Sequence, residues 1–134
     1  MNKEWKELID IAEKKLSISK DDEFISYGGV AAAIKTDKGN IYQGICIDTS
    51  CSLGLCAERS AIVSMICEGE TEIKKVVCLG EDKKPMLPCG ACMEFMMQLS
   101  KNSPDIEILV DTDNFKTVKL KELIPKWWGE KYYK

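Results

Sequence analysis

Histidine is absent from the 134 residues, and with it go Ser-His-Asp and Cys-His catalysis and every metal site that needs imidazole. A metal here must be held by thiolates and carboxylates, and a general acid or base must be Glu, Asp, Lys, Tyr or Cys. No apolar run approaches the length of a bilayer span, and the charges of Lys3 and Glu4 stand where a signal peptide carries its apolar core. The expectation is a cytoplasmic protein with no membrane partner. A basic stripe is lacking too. Net charge is −3 with the lysines dispersed among acids, so no nucleic-acid surface is expected and a small neutral ligand suits the chain better. With no linker, repeat or low-complexity segment, and with hydrophobic residues at 45%, residues 1–134 read as a single domain with a real core.

What the chain has in quantity is cysteine. Seven residues, an odd number in a reducing compartment, point to metal binding or catalysis rather than to a disulfide scaffold.

The hydrophobic pattern places these cysteines on a fold. Trp5, Leu8, Ile9, Ala12 and Leu16 recur at helical spacing and predict an amphipathic helix from about Lys3 to Ser17. Gly29–Ile34, the turn Thr36–Asn40 and Ile41–Ile47 read as a β-hairpin, whose small first-strand residues would let a helix or ligand approach closely. A helix is expected from Cys56 to Cys67, a buried strand at Lys74–Leu79, a second helix from about Cys89 to Leu99 and a strand at Ile106–Val110. A weak strand at Phe115–Val118 and a short helix at Lys119–Ile124 complete the pattern. This order predicts an α/β fold, a three-layer α/β/α arrangement around a central mixed five-stranded sheet with its later strands parallel. Both cysteine clusters then open helices that follow strand ends, where α/β sheets gather ligands.

The informative residues are Cys56-Ala57-Glu58 and Pro88-Cys89-Gly90-Ala91-Cys92. Structural zinc fills all four positions with protein ligands, whereas catalytic zinc keeps one for water, so three cysteines with a carboxylate nearby favour catalysis. Glu58 is then placed to take a proton from that water, which the metal makes easier to remove. Cys89 and Cys92 share one helix face, but Cys56 and Glu58 would stand about 200° apart around a regular helix, so the site must lie over the helix end. Three thiolates and Zn²⁺ sum to one negative charge, and Arg59 is the cation placed to offset it.

The Cys-Ala-Glu and Pro-Cys-x-x-Cys strings resemble the signature of the zinc-dependent deaminases in a three-cysteine version. The likeness to the small homotetrameric cytidine deaminases and to the blasticidin S deaminases runs from about Tyr27 to Pro125. It includes Val30-Ala31-Ala32-Ala33, Cys56-Ala57-Glu58-Arg59-Ser60-Ala61 and Lys121-Glu122-Leu123-Ile124-Pro125. The resemblance implies one Zn²⁺ per subunit at Cys56, Cys89 and Cys92, proton transfer by Glu58, Arg59 bonded to the cysteine ligands, and pyrimidine contacts from the backbone around Ala57. It further implies a nucleoside-like substrate, a role in pyrimidine salvage and a homotetramer. The family's ribose-binding Asn-x-Glu is missing from the corresponding stretch Ile45-Cys46-Ile47-Asp48-Thr49, where Asp48 is the candidate substitute carboxylate. The family's aromatic before the first small-residue strand is replaced by Gly28-Gly29, with Phe24 or Tyr27 in its place.

Plainer readings stand beside these. Glu58 alone would be a solvated first-turn carboxylate, and Asp48 a polar loop residue. Cys46, Cys51, Cys67 and Cys78 read as buried small apolar residues. Trp127, Trp128, Tyr132 and Tyr133 either pack on the core or meet a neighbouring subunit. The alternatives to cytosine-nucleoside deamination are a blasticidin S-type or other amino-heterocycle deaminase, a non-catalytic zinc module and a redox dithiol protein.

Overall fold

The computed structural model describes residues 2–133. Its elements are α1 (Asn2–Leu16), β1 (Lys20–Asp21), β2 (Ile25–Thr36), β3 (Ile41–Thr49), β4 (Gly54–Leu55), α2 (Ala57–Cys67), β5 (Ile73–Leu79), α3 (Gly90–Met97), β6 (Glu107–Asp111), β7 (Lys116–Lys119) and α4 (Leu120–Leu123). None of these helices is long and apolar enough to cross a membrane.

Trp5, Leu8 and Ala12 of α1 are buried and meet Ala33, Val77, Leu79 and Leu109 on one face of the sheet. On the other face Ala61, Ile62 and Met65 of α2 and Met96 and Met97 of α3 pack with Ile34, Val76 and Ile108. The alternation Val76, Val77 and Ile108, Leu109 between the two clusters is the period of two that a doubly covered strand requires. The expected three layers are therefore present.

The sheet has seven strands rather than five. Its order is β4-β3-β2-β5-β6-β7, with β1 beside β2. The five longer strands are the five expected. The two additions, β1 and β4, are two-residue edge pairings, too short to leave an alternating pattern in the sequence. Parallel pairing is confined to β5 and β6, which corrects the expectation for the later strands. β7 returns antiparallel to β6 through a tight turn in which Asp111 Oδ1 accepts the Asp113 amide at 2.9 Å. Phe115 has φ +55°, and this left-handed turn position is why the strand begins at Lys116 and not at Phe115.

Helix α2 lies hard against the sheet at β3. Gly44 pairs with Ala32, and a Cβ added to Gly44 would fall on the Ala61 nitrogen, the Ala57 carbonyl oxygen and the Ser60 Cβ. Only glycine allows the first turn of α2 to lie this near the strand. Gly44→Ala is expected to cost about 3 kcal/mol by overpacking and to lift that turn from the sheet. Denaturant unfolding checks the first effect, and loss of zinc stoichiometry at unchanged helix content checks the second.

Candidate metal centre and active site

Two helix entrances build the site. Cys56 caps α2 with extended backbone (φ −69°, ψ 154°), and Cys89 caps α3 in the same way (φ −72°, ψ 169°). A capping residue lies outside the helical turn, so its side chain turns over the helix end. This resolves the 200° difficulty: Cys56 is not on the helix cylinder, while Glu58 is in its first turn and points inward, 4% exposed.

The sulfurs of Cys56, Cys89 and Cys92 lie within 4.8 Å of one another. Cys56 Sγ and Cys89 Sγ are 3.5 Å apart, as are Cys89 Sγ and Cys92 Sγ. Tetrahedral zinc with sulfur bonds of the usual length sets its thiolates about 3.8 Å apart, so the donor set and its spacing fit zinc. Arg59 Nη2 donates to Cys56 Sγ at 3.4 Å, and Cys92 Sγ stands 3.8 Å from Glu58 Oε1.

The electrostatics of the three cysteines differ by their surroundings. Burial, then the Glu58 charge, raises the Cys92 thiol well above the ordinary range, with Arg59 opposing. Burial works the same way on Cys89, but the Cys92 backbone N–H and the neighbouring thiols outweigh it and lower that thiol. Arg59 is held all the more firmly as a cation, chiefly by its hydrogen bonds to Cys56 and Cys92.

Beside the sulfurs opens a cavity of about 130 Å³, lined by Val30, Cys46, Cys56, Ala57, Glu58, Cys78, Met86, Leu87 and Cys89. Through Cys46 it adjoins a second, more polar cavity of about 360 Å³ that Tyr27, Asp48, Lys20 and Glu81 help to line. The wall between them is a bulge in β2 between Tyr27 and Ala31, where Gly28 takes φ +85° and the Val30 amide donates to Cys46 Sγ at 3.3 Å.

The structure thus brings together Cys56, Glu58, Arg59, Cys89 and Cys92, sets Ala57 in the inner cavity, and places Asp48 and Tyr27 in the outer one. Phe24 lines neither: its side chain is 73% exposed, and its backbone carbonyl accepts the Ser50 amide instead. Of the four cysteines read as buried, only Cys78 is. Cys51 and Cys67 are exposed and Cys46 is half-buried, Cys51 because it lies in the turn after β3 and Cys67 because it closes α2 on its solvent side. Cys46, Cys78, Met86 and Leu87 were not read as pocket residues. Cys46 lies two residues before Asp48 on one strand face, and Leu87 directly precedes Pro88-Cys89, so strand alternation and chain proximity carried a signal for both.

The aromatic tail folds back on α3. Both indole N–H groups of Trp127 and Trp128 donate to Glu94 at 3.0–3.1 Å, and Tyr133 donates to the Met97 carbonyl at 2.6 Å. Trp127 joins the core, whereas Trp128 and Tyr132 stay exposed.

Residues 3–103 match the family described as the cytidine and deoxycytidylate deaminase zinc-binding region. The cytidine deaminase of Halalkalibacterium halodurans is 29% identical over 98 residues, which are 72% of this chain and 74% of that protein. The cytidine deaminase of Sporosarcina psychrophila is 26% identical over 118 residues, 86% of this chain and 85% of that one. Among solved structures, the cytidine deaminase of Bacillus anthracis superposes with a TM-score of 0.72 at 26% identity, over 96% of this chain and 91% of the other. The matched stretch runs from the first turn of α1 through α3 and holds both cysteine-bearing helix entrances, and the chain therefore belongs to the family of zinc-dependent cytidine and deoxycytidylate deaminases.

Proposed function

We propose that the chain converts a cytosine nucleoside, cytidine or deoxycytidine, to the uracil nucleoside with release of ammonia, using Cys56, Cys89 and Cys92 as zinc ligands and Glu58 as the proton carrier. The observation that carries this reading is the buried Glu58 carboxylate, facing the same small cavity as the convergent sulfurs. Zinc, when bound, supplies the Lewis acidity that makes water a nucleophile near neutral pH.

The chain's own residues account for the rest. Glu58 Oε1 accepts a proton from the attacking water and delivers it to the ring nitrogen next to the amine-bearing carbon. A second transfer through the same carboxylate converts the amine into ammonia, so that water enters and ammonia leaves with Glu58 unchanged. Arg59 offsets the charge of the sulfur cluster, a role supported by its 3.4 Å hydrogen bond to Cys56. The inner cavity, walled by Val30, Met86 and Leu87, has room for a pyrimidine ring and little more, and the backbone at Ala57 lies at its edge to meet the base's polar atoms. The sugar then extends past Cys46 into the outer cavity, toward Asp48 and Tyr27. A single catalytic unit of 1–134 working as a homotetramer in cytoplasmic pyrimidine salvage is the setting this reading carries.

The test is direct. Zinc-loaded protein incubated with cytidine and with deoxycytidine is expected to release one ammonia per uracil nucleoside formed, followed by absorbance and by an ammonia-coupled assay. Absence of ammonia from both substrates would overturn the reading; release from blasticidin S or another amino-heterocycle would then favour that alternative, and release from none a zinc module without turnover.

A further inference from the structure

Leu79 pairs with Ala31 at the end of β5, and two further residues of that antiparallel register set Glu81 against Gly29. The carboxylate lies there: a Cβ added to Gly29 would meet Glu81 Oε1 at 3.0 Å. Gly29 and Glu81 both line the outer cavity, with Tyr27, Cys46 and Asp48. Cys46 also lines the inner cavity, the proposed place of the base. The missing side chain of Gly29 leaves room for a carboxylate beside the sugar's path, and a larger residue would crowd it.

A hydrogen-bonded turn fixes the backbone that carries Glu81. The Lys83 amide donates to the Gly80 carbonyl at 2.9 Å and the Gly80 amide to the Lys84 carbonyl at 3.1 Å, while Asp82 Oδ1 accepts the Lys84 amide at 3.0 Å. Farther on, the Met86 amide donates to the Cys78 carbonyl at 2.8 Å, which seats Met86 and Leu87 in the wall of the inner cavity. Residues 80–87 thus carry both the apolar wall for the base and a carboxylate at the place of the sugar. Glu81 is exposed and, among the described residues, forms no hydrogen bond or ion pair, so its oxygens are open to a ligand.

We infer that Glu81 is a specificity-determining residue for the deamination proposed above: its carboxylate, lying over Gly29, accepts hydrogen bonds from the hydroxyls of the substrate's sugar and turns away a substrate that carries a phosphate there. The inference rests on the reading of the two cavities as the places of base and sugar. An ionised carboxylate accepts hydrogen bonds and donates none. A hydroxyl supplies the proton it needs, whereas a phosphate brings a charge of the same sign. Asp48, in the same cavity, adds to that repulsion. Lys20, which also lines it, is engaged by Asp22 at 3.5 Å.

Glu81→Ala removes the acceptor and the charge, and Glu81→Gln removes the charge alone. In the zinc-loaded protein Glu81→Ala is expected to raise KM for cytidine about tenfold with kcat within about twofold, and Glu81→Gln to raise KM about threefold. Glu81→Gln is also expected to raise kcat/KM for cytidine 5′-monophosphate relative to cytidine by about tenfold. A merely structural role for Glu81 would leave that ratio where it is. An unchanged KM for cytidine in Glu81→Ala, or no relative gain for the monophosphate in Glu81→Gln, overturns the inference. Calorimetric titration of cytidine into zinc-loaded Glu58→Gln, with and without Glu81→Ala, reads the contact without turnover. The double variant is expected to bind about tenfold more weakly, and equal binding overturns the inference even in an active enzyme. Absence of ammonia release by the unaltered chain would sink the proposed function, while weaker binding in the double variant would still establish the sugar contact.

Discussion

Glu58→Gln is expected to lower kcat by about a thousandfold while KM and zinc content stay close to those of the unaltered chain. Glutamine keeps the size of the side chain and an oxygen that accepts hydrogen bonds, so α2 has no reason to move. What it loses is the ability to take a proton and give it back. Glu58 is 4% exposed, which denies bulk water easy access to the place where the proton is handled and leaves the variant without a substitute base. Glu58 is also outside the sulfur cluster, so metal analysis should find the same stoichiometry. Glu58→Asp shortens the arm by one methylene and should fall between the two, since transfer depends on reach before it depends on acidity. Steady-state kinetics with parallel zinc determination check this, and full activity in Glu58→Gln would remove the carboxylate from the mechanism.

Helical spacing at Trp5, Leu8 and Ala12 located α1, because a helix lying on a sheet must repeat its apolar positions every three to four residues. Cys56, Glu58, Cys89 and Cys92 were legible because absent histidine left thiolates and carboxylates as the remaining ligand types, and because helix-opening spacing brings such residues to one point. The 200° separation of Cys56 and Glu58 around a regular helix requires a shared site to lie over the helix end, and the capping conformation of Cys56 is how the backbone supplies one. What stayed hidden depended on contacts between strands. The glycine that admits α2 is Gly44 on β3, not one of the run of small residues on β2, because the register that sets Gly44 against Ala32 is a tertiary fact. Phe24 has the right chemistry for a pocket wall, but at its place before the β2 bulge its side chain is left in solvent. Cys46 and Cys78 look alike as isolated cysteines. Alternation with Asp48 points Cys46 toward the pocket, whereas for Cys78 only the pairing of β3 and β5 on either side of β2 brings it to the same cavity.

Stripping the metal with a strong chelator is expected to abolish deamination, to lower the Tm by roughly 10 °C, and to be reversed by added zinc. The stability loss follows because the ion ties α2 to α3 through Cys56 on one side and Cys89 and Cys92 on the other, and these two helix entrances share no hydrogen-bonded strand. Zinc uptake should also depend on pH in a direction set by the cysteines. Burial and the Glu58 charge raise the Cys92 thiol, so in the metal-free protein it holds its proton at neutral pH, and the ion must displace that proton to gain a thiolate. Cys89, lowered by the backbone N–H of Cys92 and by the neighbouring thiols, gives up its proton more readily. The sign is therefore fixed: each displaced proton makes the apparent affinity rise about tenfold per pH unit until the thiol ionises on its own. Calorimetric zinc titrations at about pH 6.5 and about pH 8, each in two buffers of different protonation enthalpy, measure the protons released along with the affinity. Affinity independent of pH, with no proton released, would mean that Cys92 is already a thiolate in the metal-free protein. It would then follow that Arg59, which opposes the rise at Cys92, outweighs burial, Glu58 and the neighbouring thiols together.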